Sequence, residues 1–106
     1  MSLYLWHVNH TVDGTKGLLK DGGSKRRATV QKMIEQLGGR LQAFYYAFGD
    51  TDAYLIVDLP DHASVAAVSL TVFAAGAAQV KTTVLLTPEE IDSATKKAVA
   101  YRAPGS

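Results

Sequence analysis

The chain has 106 residues, 47% of them hydrophobic, with 11 basic against 10 acidic side chains and no cysteine. This length suits one domain, residues 1–106, with its own core. The near-cancelling charge sets up no global field to recruit nucleic acid or a membrane, and the lack of cysteine excludes disulfides, thiolate metal sites and thiol nucleophiles.

No basic-then-apolar leader opens the chain and no apolar run reaches transmembrane length, so a cytoplasmic protein is expected. Tyr4–His10 (YLWHVNH) reads as the first strand. Tyr4, Trp6 and Val8 alternate there with Leu5, His7 and Asn9, the period of two that a pleated strand imposes. Thr11–Gly23 is punctuated by glycine, with a short amphipathic piece around Gly17-Leu18-Leu19-Lys20. Gly22-Gly23 breaks that piece, and Ser24 is expected to cap a helix running to Leu37. Val30, Met33, Ile34 and Leu37 recur at helical spacing and give this helix one buried stripe. Gly38-Gly39 supplies its C-terminal cap.

Two runs rich in aromatic and β-branched residues follow, Arg40–Phe48 and Ala53–Leu59, joined by Gly49-Asp50-Thr51-Asp52. Glycine takes positive φ, and Asp and Thr bond back to nearby backbone, so the pair reads as a β-hairpin. A four-residue loop predicts Phe48 opposite Ala53, Ala47 opposite Tyr54, Tyr45 opposite Ile56 and Ala43 opposite Asp58. Leu59-Pro60-Asp61 then leads into a second long helix capped by Asp61 and closed by Gly76. Its residues Ala63–Ala75 are almost wholly apolar, so cover on more than one side is expected. Gln79–Leu86 reads as the fourth strand. Thr87-Pro88-Glu89-Glu90 opens a last helix with Thr87 as cap, Pro88 at the first position and Glu90 completing a capping box. That helix is expected to fade near Ala98–Tyr101, leaving a loose tail over Arg102–Ser106.

The order β-α-β-β-α-β plus a terminal helix predicts an α+β, ferredoxin-like sandwich: an antiparallel four-stranded sheet with two helices on one face. Phe44, Tyr46, Phe48, Leu55, Val57 and Leu59 are assigned to the helices. The other face receives Ala43, Tyr45, Ala47, Tyr54, Ile56 and Asp58, joined by Leu5, His7, Asn9 and Thr83. That face is too apolar for water and too polar for a plain core, the mark of an interface or ligand surface. Two such sheets stacked face to face would hide it and enclose a small cavity, which predicts a homodimer or a higher even-numbered oligomer.

Three blocks resemble the GYD domain family: Tyr46–Tyr54, Gly22–Arg27 and Thr82–Glu90. The family's namesake Gly-Tyr-Asp stands here as Gly49-Asp50-Thr51-Asp52. The resemblance implies a small bacterial protein of the dimeric α+β-barrel type and supplies no reaction. Enzymes and ligand-sensing modules share that architecture, so fold analogy does not choose between them.

Two clusters are candidates for chemistry. His7, Asn9, Tyr45, Tyr54 and Asp58 project from the open face, where a carboxylate, an imidazole and two phenols could position a small aromatic or enolisable ligand. The plain alternative is a set of interface anchors, which favours aromatics with one wet end. Gly22, Gly23, Ser24, Lys25, Arg26 and Arg27 surround a helix start and suit an anion, although the order of a P-loop is missing. There the plain alternative is a capped helix with a solvated basic face. His7, His10 and His62 lack the spacing of a metal site, so neither metal nor cofactor is expected. The predicted function is a non-catalytic ligand-binding or assembly module, its partners a second copy of itself and a small molecule. The alternative is a cofactor-independent oxygenase or isomerase working in a dimer cavity.

Overall fold

In the structure, a computed structural model that describes residues 2–106, eight elements follow along the chain. They are β1 (Ser2–His10), α1 (Val12–Asp21), α2 (Gly23–Gln36), β2 (Arg40–Tyr46), β3 (Ala53–Leu59), α3 (His62–Ala74), β4 (Ala78–Leu85) and α4 (Pro88–Thr95). The strands form one antiparallel sheet in the order β2-β3-β1-β4, the α+β arrangement expected of a ferredoxin-like chain. Strand alternation sorts the side chains onto its two faces. Tyr4 and Trp6 of β1 and Leu55, Val57 and Leu59 of β3 turn to the helices, and each is almost wholly buried. Ile34 from α2 and Val65 and Val68 from α3 complete the core. Burying a side chain of this size contributes roughly 1.5–3 kcal/mol, so these central strands anchor the domain.

The glycine-punctuated stretch after β1 folds as a full helix, α1. Thr11 caps it, its Oγ1 accepting from the Gly14 N–H at 3.0 Å. The Thr11 N–H donates to the Ala77 carbonyl at 3.1 Å, tying the helix start to the turn before β4. Gly22, at φ +83°, ends α1 and starts α2, a conformation that glycine alone adopts freely. Its N–H donates to the Leu18 carbonyl at 2.8 Å, and no side chain caps α2. Ser24 therefore lies inside the first turn and does not cap the helix, because one glycine makes the whole joint.

The hairpin register differs from expectation by two residues. Tyr45 faces Tyr54, Phe44 faces Leu55 and Ala43 faces Ile56, with a bulge between Leu41 and Ala43. A shift of two keeps the side chains that remain paired on their expected faces. Its cause is Asp52, which is drawn back to β1. The Asp52 N–H donates to the Val8 carbonyl at 2.9 Å, and its Oδ2 accepts from the His10 N–H at 2.8 Å. β2 accordingly ends at Tyr46, and Phe48 stands fully in solvent instead of packing under the helices.

Asp61 caps α3, with Oδ1 accepting from the Ser64 N–H at 2.7 Å. The sheet covers Val65 and Val68, but Leu70 and Phe73 on the outer side are exposed, so within the chain α3 is covered on one side only. The capping box of α4 forms as expected, between Thr87 and Glu90. No residue of α4 is buried, and the helix ends at Thr95. The radius of gyration of 17.1 Å exceeds the ~13 Å usual for this length, because α4 and the tail stand off the sheet. No helix among the described residues is long and apolar enough to cross a membrane.

Candidate functional site

Register turns the open face of the sheet into a grid. Arg40, Asp58, Leu3 and Leu85 cross one end, then Ala43, Ile56, Leu5 and Thr83, then Tyr45, Tyr54, His7 and Lys81. The rings of His7 and Tyr54 meet edge to face at 5.2 Å, and Tyr45 stands opposite Tyr54, 72% exposed. These three candidates are brought together. Asp58 is held apart by the Ile56 row, and one of its carboxylate oxygens is buried with no donor. Asn9 lies beyond His7 at the far end, its Oδ1 accepting from the Asp52 N–H at 3.3 Å. Within one chain the five residues line an open surface.

The cations around Gly22 diverge. Lys25 pairs with Asp21 at 3.8 Å, Arg27 lies beside the β2 edge near Gln42 and Tyr45, and Arg26 turns under the helix. The Tyr46 hydroxyl donates to the Gly23 carbonyl at 3.0 Å. Burial pushes this phenol up from its ordinary range, partly offset by the nearby Arg26 and Arg27 guanidiniums. The other histidines have structural partners: His62 Nδ1 lies 2.7 Å from the Tyr4 hydroxyl, and His10 Nδ1 lies 3.7 Å from Asp52. No group of three or more His, Asp or Glu side chains converges as a metal site among the described residues.

A deeper, partly open space lies on the opposite side of the sheet. Between the sheet and α1, α2 and α3 there is a cavity of about 140 Å³. Its origin lies in the row Tyr46, Ala53, Val8 and Val80, where the short side chains of Ala53 and Val8 meet at the centre of the sheet. The neighbouring row, Phe44, Leu55 and Trp6, is large, so the helices rest on it and span the gap beside it. Gly14, Ala77 and Ala78 close the end near α1 without filling it. The walls are mostly apolar, and the few polar groups stand in contrast to them. The indole N–H of Trp6 has no acceptor but is packed within the core and does not open onto the space. Arg26 is half-buried and has no carboxylate within 4.0 Å among the described residues.

Sequence reasoning placed Arg26 in a candidate anion site at the helix start or, in the plain alternative, on a solvated basic face, yet it stands four residues before Val30 and seven before Met33. That spacing puts it on the core-facing stripe of α2, and all three line the cavity. A cation on an apolar stripe was the legible signal. Ala53, Ala77 and Ala78 gave none, since small residues mark a void only once their neighbours across the fold are known.

The model of a family described as GYD domain matches residues 4–95 of the chain. No curated protein and no solved structure matches it significantly.

Proposed function

The chain belongs to the GYD domain family, and on that premise we propose that it is a non-catalytic small-molecule-binding module assembled as a homodimer. The observation that carries this reading is the cavity beneath the helices, with its apolar walls and the half-buried Arg26, which has no carboxylate within 4.0 Å among the described residues. Ligand sites commonly combine apolar walls with a few such polar groups. The open sheet face supports the homodimer. Its central row of Ala43, Ile56, Leu5 and Thr83 carries no charge, and Arg40 stands opposite Asp58 in register. Lys81 is the remaining charge of that grid, so a second copy of the face would meet little like-charge repulsion.

The test is a titration with toluene, followed at the indole N–H resonance of Trp6. A saturable shift is expected, because an apolar space of this size accepts one aromatic ring. An indole signal that never moves would contradict the reading.

A further inference from the structure

We propose that the cavity takes a single-ring aromatic carboxylate, with the ring among Trp6, Phe44 and Val68 and the carboxylate on the guanidinium of Arg26. The proposal rests on the reading of the chain as a ligand-binding module and names the class of its ligand.

Size comes first. The cavity measures about 140 Å³, close to engineered apolar cavities of ~150 Å³ that hold a benzene ring. Wall chemistry comes next. Trp6, Phe44 and Tyr46 supply aromatic surface, and Val30, Val68 and Val80 supply the rest of the apolar lining. Flat aromatic ligands gain from offset and edge contacts with such rings.

The balance of donors then sets the charge. Two of the polar groups in the lining already donate within the protein: the Thr29 hydroxyl to the Lys25 carbonyl at 3.1 Å, and the Tyr46 hydroxyl to the Gly23 carbonyl at 3.0 Å. His10 has its ring beside Asp52. What remains is the Arg26 guanidinium, a donor that cannot accept. A ligand matching it brings acceptors, and a planar carboxylate fits the guanidinium fork. Arg26 reaches the site from the core-facing stripe of α2, so its charge lies against apolar surface, where an ion pair is screened less than in open water.

The chain contains one tryptophan, so a single indole resonance in a ¹⁵N-labelled sample reports on the cavity. Benzoate, toluene and benzylammonium are titrated into the wild-type protein and into Arg26→Met, whose long apolar side chain suits the same stripe. Benzoate is expected to bind the wild type more tightly than either other probe. Arg26→Met should weaken benzoate at least about tenfold, the size of one lost charge-assisted bond, and leave toluene unchanged. Toluene binding without a preference for benzoate would overturn the carboxylate assignment and leave the ligand-binding reading standing. No response to any probe would overturn both. The comparison of benzoate with benzylammonium on the wild type alone decides the sign of the site should Arg26→Met fail to fold, and a preference for the cation refutes the proposal.

Discussion

Gly14 provides the sharpest stability test, because it sits where α1 meets the turn before β4. A Cβ added there would lie 1.9 Å from the Ala77 carbonyl oxygen and 2.9 Å from its carbon, both backbone atoms. Relief requires α1 or the turn to move by roughly 1 Å or more, and overpacking of this kind costs about 1–3 kcal/mol. The same carbonyl accepts from the Thr11 N–H at 3.1 Å, so the movement also strains the bond that docks α1. Alanine returns about 0.5–1 kcal/mol through helix propensity, which is smaller. The net expectation for Gly14→Ala is a loss of up to about 2.5 kcal/mol. At about 4–8 °C per kcal/mol for a domain near this size, the melting temperature falls by up to roughly 20 °C. Gly17 lies in the same helix, and a Cβ there meets nothing within 4 Å. Gly17→Ala should therefore stabilise by about 0.5–1 kcal/mol and raise the midpoint by a few degrees. Thermal melts of the two variants side by side settle the matter. Equal shifts of the same sign would refute the close approach of α1 to Ala77, and with it the closed end of the cavity.

Three further expectations follow from particular contacts. Tyr45→Asp places a carboxylate on the exposed centre of the open face and should move the assembly toward monomer or aggregate; an unchanged elution volume at micromolar concentration rules out sheet stacking. Thr87→Ala removes the cap of a helix with no buried residue, so the loss of about 1 kcal/mol should fray α4 locally. Amide exchange over Glu89–Ile91 should then speed up while the global melting midpoint holds, and a large fall in that midpoint would mean that α4 is docked. The Ser64 N–H holds the Asp61 carboxyl below its ordinary range. A folded value below the unfolded one means that this contribution is complete above the unfolded value and is lost as pH falls through the folded value. Asp61→Asn should thus match the wild type near neutrality and show a shallower acid loss below pH about 4; parallel acid limbs would contradict the cap.

Much of the fold was legible because local signals agreed with one another. The alternation of Tyr4, Trp6 and Val8, the stripe of Val30, Met33, Ile34 and Leu37, and the capping chemistry of Asp61 and Thr87 each require one element at one place. Misreadings occurred where a distant contact decided. Asp52 is claimed by Val8 and His10, which lengthens the loop and moves the register by two residues. Gly22 turns the chain so sharply that it displaces Ser24 from the cap. α1 owes its place to Thr11 and Ala77, a pairing remote in sequence. For the site, the polar set on the open face followed from strand parity alone. The cavity did not, since it depends on Ala53 and Val8 meeting beneath three helices.

The central claim is that a small ligand occupies the space beneath the helices and not the exposed tyrosine face. Intermolecular nuclear Overhauser effects from bound toluene test it most directly. The account predicts contacts from the toluene protons to the Trp6 indole and to the methyl groups of Val68 and Val80, which line the cavity. Contacts confined to Tyr45, Tyr54 and His7 would place the ligand on the open face and contradict the account.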